Sequence, residues 1–544
     1  MGVPFSAAFR HLAGKCVRWL RKATRSANTL IDALKEGGPK EEIVMQVSSP
    51  QRHSKRTQWR QWLACISATL SMVAVGTVYG WTTTSLSRLT SGASDVPVKI
   101  TQDESSWIVS LTVIGSMIGP FLGAGLADRY GRKRSLLLAS GFFIVGWTVV
   151  FFAQSVTALY ISRVILGIGV GMSYTANPMY VSEVADVNIR GALGTLISVN
   201  VFTGSLLTCS ISPWVSYQVL AVLLLAVAVL FVLCFSWFPE TPAFLAARGR
   251  RAEATRSLAF FKGIRDRDEA RRELEQALRN LFLEDVCDNG PVTGPGARTE
   301  PVKRSWLVKL KLMLLPSNAR ALGIVLGLIM AQQLSGNFST MQYLEVLFKK
   351  MAIGLDSNMA TVLVLAVGLI SSGLSTATVE GAGRRPLLIA STLGSSVTLA
   401  ILAVYLMLDE RGVDMSSMNL LPVIDVIAFQ VAFQIGLGTL PSALIGELFP
   451  TEVKAFAGAI VTIFDGVLGF AVSKLYQVIG DSLGADIVYY FFAASCLFAF
   501  VMVMFAVPET KGRTFREIQE LLRDGNKKDI AENVESSQNR NNVA

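Results

Sequence analysis

The strongest constraint in this chain is a recurring arrangement of long apolar runs joined by connections too short and too charged to remain in hydrocarbon. The clearest case is Asp128-Arg129-Tyr130-Gly131-Arg132-Lys133-Arg134, pinned between Ser106–Ala127 and Ser135–Gln154. Charge at that density must face water, so the segment reads as a tight turn between two membrane spans. Glu380-Gly381-Ala382-Gly383-Arg384-Arg385 repeats the device far downstream, again between two apolar runs. One such turn in each half predicts a membrane protein built from two related bundles.

Composition supports this. Only 17% of the residues are charged and 51% are hydrophobic, where a soluble chain carries about a quarter charged. Twelve spans of bilayer length are predicted. The first six are Gln61–Leu86, Ser106–Ala127, Ser135–Gln154, Thr157–Tyr180, Gly191–Ile211 and Ser216–Phe238. The second six are Arg320–Leu347, Ser357–Val379, Pro386–Met407, Leu420–Glu447, Phe456–Val478 and Ile487–Val507. The expected fold is therefore all-α, with two six-helix bundles over 61–244 and 320–508. A polar linker, 245–319, joins them, with Arg265–Glu284 as a solvated helix and Asp288–Pro301 as a Gly/Pro-rich stretch. Tails 1–60 and 509–544 flank the bundles. An even span count puts both tails on one side, and the basic loops place that side in the cytosol.

The net charge of +10 follows the same topology, because the basic residues gather in the N-terminal tail and alternate connections. No basic helix with interleaved aromatics is present, so nucleic acid is not an expected partner. The six cysteines lack metal spacing, and a disulfide framework, a zinc site or another cofactor is not expected. Both histidines, His11 and His53, lie in the tail, which removes histidine catalysis from the bundle. There is no GxxxxGK[ST] for ATP and no nucleophile with a local base, so enzyme activity is not expected. The tail holds an amphipathic stretch around Phe5, Phe9, Leu12, Cys16 and Leu20. It also begins Met1-Gly2, in the pattern for myristoylation; an unmodified tail is the plainer expectation.

Several junctional motifs carry a family resemblance. Pro178-Met179-Tyr180-Val181-Ser182-Glu183 is followed by Arg190-Gly191-Ala192-Leu193-Gly194-Thr195, and Pro239-Glu240-Thr241-Pro242 closes the sixth span. Gln332-Gln333-Leu334-Ser335-Gly336 lies in the seventh, and Pro508-Glu509-Thr510-Lys511-Gly512-Arg513-Thr514 follows the twelfth. With Arg163, Gly167, Gly169 and Gly171, this ordered set resembles the sugar porters of the major facilitator superfamily. Within them it is most similar to insect facilitated trehalose and hexose transporters. The resemblance spans roughly Gln61 to Leu522 and implies a plasma-membrane carrier of a small neutral sugar by alternating access; a monomer is expected.

Two sets of residues are candidates for that work. Asp128, Arg129, Arg132, Glu183 and Arg190 lie at the cytosolic ends of the first half, and Glu380, Arg384, Glu447 and Lys454 at those of the second. Opposite charges there suit salt bridges that latch the two bundles; enforcing topology alone is the competing reading. Gln332 and Gln333 offer paired amide donors and acceptors for sugar hydroxyls, against a plain role in interhelical hydrogen bonding. Gly336 is placed to loosen the helix beside them. Gly76, Gly80, Gly167 and Gly171 read first as sites of close helix approach.

The departures from the family pattern are also informative. Ser198, Phe338 and Gly368 stand where the resemblance implies glutamine, asparagine and asparagine; Gln434 and Ser442 replace a glutamate and a tryptophan. Ala124 and Ala243 depart from two signatures as well. Glucose is thereby disfavoured relative to a disaccharide or polyol. Val78 occupies the position where proton-linked relatives carry an aspartate, which favours facilitated diffusion. Asp465, inside the eleventh span, leaves three roles open: substrate binding, proton carriage or capping a break at Gly466. The expected substrate-binding set is Gln332, Gln333, Gln434, Ser198 and Asp465. A proton-coupled symporter, a carrier of another organic solute and a transporter-like nutrient sensor stand as alternatives.

Overall fold

The structure is a computed structural model. It describes residues 58–511 except 93, 265, 277–312, 314, 352–354, 414–417, 442–443, 445–447 and 450. At 187–188, 190–192, 195, 376–377, 379–381, 451–456 and 481 it describes the backbone alone. The expectations for the N-terminal tail, Cys16, Cys287, Ser442 and the Gly/Pro-rich stretch fall outside the described residues.

Every described element is helical. The first half runs α1 (Trp59–Ser91), α2 (Gln102–Tyr130), α3 (Arg132–Phe152), α4 (Val156–Val184), α5 (Val187–Ile211) and α6 (Tyr217–Phe235). Short helices α7 (Pro242–Ala247) and α8 (Arg251–Lys262) follow. The second half contains α9 (Pro316–Leu334), α10 (Asn337–Gln342), α11 (Leu344–Lys350), α12 (Ser357–Ala382), α13 (Arg384–Glu410), α14 (Leu421–Ile435), α15 (Thr451–Leu483) and α16 (Ala485–Ala506). Eleven helices among the described residues are long and apolar enough to cross a membrane, and α14 is a shorter apolar helix in the tenth place. The expected tenth span, Leu420–Glu447, is broken after Ile435 by a turn at Gly436. The expected seventh span is likewise three pieces, α9 to α11.

Local chemistry accounts for the helix boundaries. At α2, the Thr101 hydroxyl accepts from the Glu104 amide at 3.3 Å and the Glu104 carboxylate accepts from the Thr101 amide at 2.8 Å, a reciprocal cap of two otherwise orphaned donors. Ser155, Ser216 and Asp356 cap α4, α6 and α12. Within α1 the hydroxyls of Thr77, Thr82 and Thr84 donate to carbonyls one turn back, which satisfies those three protons inside an apolar helix.

The pairing of helices repeats between the halves. In the first, α1 packs on α5, α2 on α4 and α3 on α6; in the second, α9 packs on α15, α12 on α14 and α13 on α16. Small residues set these approaches, as expected where apolar lipid offers no hydrophobic drive. A Cβ at Gly76 would lie 2.1 Å from the Val201 carbonyl, and one at Gly167 would lie 2.3 Å from the Thr112 carbonyl. The halves meet along two seams, α2 with α15 and α5 with α12. Trp59 and Trp237 are exposed at the end bearing the charged turn, and Trp214 at the far end, the placement of interfacial aromatic belts.

The charged turns have one shared geometry. Gly131 and Gly383 adopt φ +110° and +92°, a region that penalises any side chain. Each starts a new helix whose first amides are met by a glutamate from the end of the same half. Glu240 accepts from the Lys133 amide at 3.0 and 3.1 Å, and Glu509 accepts from Arg384 and Arg385, both at 3.0 Å. Burial disfavours the Glu509 carboxylate. Backbone hydrogen bonds from Lys511, Arg384, Arg385 and Thr510 outweigh that and hold its pKa below the ordinary glutamate value.

Candidate functional site

Gln333 lies on the last turn of α9, just before the chain breaks at Gly336. The break is enforced: Gly336 has φ +68°, and a Cβ there would sit 2.0 Å from the Phe492 ring. Beyond it the Gln333 side-chain amide donates to the Asp465 carboxylate of α15 at 2.6 Å. Gly469, one turn along α15, lies beside both the Gln333 amide and Val113 of α2, where a Cβ would make ordinary contacts at 3.5 Å. Gly466, next to Asp465, is pressed against Met117 of α2. This face of α15 therefore looks toward the first half.

The first half supplies the opposite wall. Tyr79 of α1 and Tyr174 of α4 are neighbours and lie within electrostatic reach of Asp465. Phe338 of α10 stands edge-on to Tyr79, centroids 5.7 Å apart. One carboxylate, one amide, two phenols and an aromatic ring thus converge from both halves. None of Gln333, Asp465, Tyr79 or Tyr174 is fully enclosed. Mixed donors and acceptors beside aromatic faces fit a neutral polyhydroxylated molecule, whose hydroxyls need both and whose C–H faces stack on rings.

The structure separates the other expected binding residues from this cluster. Gln332 is half-buried, and about 100° of helix rotation separates it from Gln333; its own carbonyl takes the Ser335 hydroxyl at 2.7 Å. Gln434 is buried at the end of α14, its side-chain oxygen folded over Gly438. The Gln434 carbonyl accepts from Ser375 at 3.0 Å. Ser198 is half-buried on α5, and no described contact ties it to Asp465. Sequence reasoning missed Tyr79, Tyr174 and Gln430. The Gln430 side chain is fully buried with neither amide atom partnered, and it meets the same small space over Gly368 as Phe202 of α5. A second glutamine one turn before Gln434 in the apolar α14 was the available signal.

At the charged-turn end, the described ion pairs close within the first half and not across the two. Arg132 Nε meets Glu183 at 2.9 Å, and its Nη1 meets Asp128 at 3.8 Å. The second Glu183 oxygen accepts from Thr241 at 2.5 Å, so one carboxylate joins α3, α4 and α7. Arg129 lies over the Tyr130 ring, and its carbonyl accepts from Arg248 at 3.2 Å. The Arg384 amide is bound by Glu509. The physical reason is adjacency: Glu183 lies at the end of α4, beside the start of α3 where Arg132 stands. Side chains of Arg190, Glu380, Glu447 and Lys454 lie outside the described ones.

Polar contacts between the halves occur at the opposite end. Lys474 of α15 bonds Asp103 and the Ser106 hydroxyl of α2, each at 2.7 Å, and lies 4.4 Å from the Trp107 ring centroid. Gln477 donates to Gln102 at 3.1 Å. Lys349 donates to Ser87 at 2.6 Å, and Thr83 to the Met341 carbonyl at 3.0 Å. The central cluster is therefore covered on its far side by direct bonds between the halves.

A family model described as sugar (and other) transporter matches residues 63–522. The chain is 28% identical over 470 residues to a facilitated trehalose transporter of Bombyx mori, covering 86% of this chain and 88% of that one. It is 27% identical over 485 residues to one of Drosophila willistoni, covering 89% of this chain and 53% of the relative. The chain thus spans about half the length of the Drosophila relative. Among solved structures, an inward-open xylose transporter XylE of E. coli matches with TM-score 0.67 at 20% identity, covering 85% of this chain and 99% of that one. The proton:xylose symporter XylE bound to 6-bromo-6-deoxy-D-glucose matches with TM-score 0.65 at 21% identity, covering 85% and 99%. At such identities the likeness is one of fold.

Proposed function

Because this multi-pass membrane protein belongs to the sugar (and other) transporter family, we propose that it moves a neutral sugar across the plasma membrane by facilitated diffusion. The observation that carries the reading is the Gln333–Asp465 bond facing Tyr79 and Tyr174 at the junction of the halves. The two bundles, 61–244 and 320–508, rock about this point on the linker 245–319. In the described state the far side is shut by Lys474–Asp103 and Lys349–Ser87; the basic connections support a cytosolic side for the charged turns and both tails. On the reverse stroke the charged-turn ends close, with Glu380, Glu447, Lys454 and Arg190 meeting the Arg132–Glu183 group across the halves. The likeness to trehalose transporters, and the loss of the implied hexose contacts at Ser198, Phe338 and Gly368, favour a disaccharide. The carrier works as a monomer.

Purified protein in liposomes tests this. Labelled trehalose should equilibrate, show countertransport and ignore a protonophore. A second reading, proton-coupled uptake, is favoured by the Asp465 carboxylate inside the cluster. Accumulation above the external concentration that collapses with a protonophore would establish it instead, and saturable binding without flux would point to a sensor.

A further inference from the structure

We propose that the far-end third of the first half contains a buried site for a small monovalent anion of the halide class, built by Arg163, Trp81, Trp147 and Tyr217. All four side chains are wholly buried. The Arg163 guanidinium lies 3.9 Å from the Trp81 ring centroid and 5.9 Å from that of Trp147. Trp81 in turn packs 6.3 Å from Trp147 and 5.9 Å from Tyr217. The four come from α4, α1, α3 and α6, so the nest is closed on all sides by helices of one half.

Among the described residues Arg163 has no counterion. Helices α1, α3 and α6 carry no acidic residue, and α4 carries only Glu183, at its other end and bound to Arg132. On α2, Asp103 is held by Lys474 and Glu104 by the Thr101 cap. Asp95, in the loop before α2, is taken by Arg88 at 3.4 Å and by the Tyr217 amide at 3.0 Å. A lone cation within a membrane span is costly and calls for a specific partner. The aromatic faces supply only part of that stabilisation.

Hydrogen-bond accounting gives the same answer. Arg163 Nη1 has one long contact, 3.4 Å to the Thr82 hydroxyl. Arg163 Nε and Nη2, the indole nitrogens of Trp81 and Trp147, and the Tyr217 hydroxyl have no partner, and neither does Ser85, one turn beyond Trp81. Guanidinium and indole groups only donate. A water placed among them would accept two bonds and return its protons to hydroxyls such as Thr82 and Tyr217, but it would leave the Arg163 charge uncompensated. An anion accepts from every side and also cancels the charge.

The test compares thermal unfolding of the purified protein in sodium bromide, chloride and gluconate at equal ionic strength and pH, with anomalous scattering from bromide-grown crystals. The site requires a saturable rise in unfolding temperature with bromide or chloride, and bromide density within hydrogen-bonding distance of Arg163. Arg163→Met should abolish the rise. Trp147→Phe and Tyr217→Phe, which keep the rings, should each weaken apparent halide affinity at least about tenfold and keep the test open should Arg163→Met not fold. Equal unfolding temperatures in the three salts, a halide response unchanged in Trp147→Phe and Tyr217→Phe, or ordered water without bromide signal beside Arg163 would each overturn the assignment.

Discussion

Glu240 and Glu509 occupy equivalent places in the two halves: each lends both carboxylate oxygens to backbone amides at the start of the helix after a positive-φ glycine. The charged turns that stand out in the sequence are thus fastened from behind by the glutamate of each terminal signature. That fastening ties the last span of each half to its third.

Removing one fastening should cost stability without touching the site. Glu509→Ala exposes or orphans helix-start amides, with an expected loss of about 1 kcal/mol, the scale of a lost N-cap. Glu240→Ala should cost a similar amount, and the double variant should lose the sum, since the two sites share no partner. Chemical denaturation in detergent measures this.

The Glu509 contribution should depend on pH. Its folded pKa lies below the ordinary glutamate value, so the stabilisation is complete above that ordinary value and disappears as the pH falls through the lowered one. The stability difference between the natural protein and Glu509→Gln should be constant near neutrality and shrink in acid. A difference that grows in acid would contradict the sign.

Transport should hinge on Gln333. Gln333→Ala leaves the Asp465 carboxylate unpaired and removes an amide from the cluster, so uptake should fall at least about tenfold. Asp465→Asn retains an acceptor for Gln333 and should keep uptake within a few-fold with no new pH dependence. Initial rates in liposomes at several pH values read both.

Gly336→Ala should be among the most damaging single changes in the second half. It combines the left-handed penalty of about 1–2 kcal/mol with a Cβ forced to 2.0 Å from Phe492. Pairing it with Phe492→Leu should recover the steric part and leave the conformational part. Thermal unfolding of the two variants separates them.

Lys474→Ala should loosen the far-end closure. The pair with Asp103 is partly exposed, so the shift is about 0.2–1 kcal/mol. That is enough to raise the reactivity of a cysteine placed at Gly469 toward a reagent added from the far side, with little change in global stability.

The helical spans, their two-fold repetition and the likeness to a carrier family were all readable from residue order. Each rests on short-range rules: apolar length, charge at the turns, and glycines that only close packing explains. The same rules identified Gln333 and Asp465 one by one, as polar groups too costly to leave idle in a span. They could not say that the two bond to each other, nor that Tyr79 and Tyr174 stand opposite, because those residues are ordinary in their own helices. In the described state Arg132 pairs with Glu183 inside the first half, a choice of neighbour that sign and position along the chain do not specify.

Sequence alone therefore determined where this chain crosses the membrane and which groups cannot sit there without partners, because desolvation is a property of each residue. Only the tertiary structure decided who those partners are: Asp465 for Gln333, backbone amides for Glu240 and Glu509, and aromatic faces for Arg163. Pairing is set by how helices far apart in the chain cross, and that geometry belongs to no single segment.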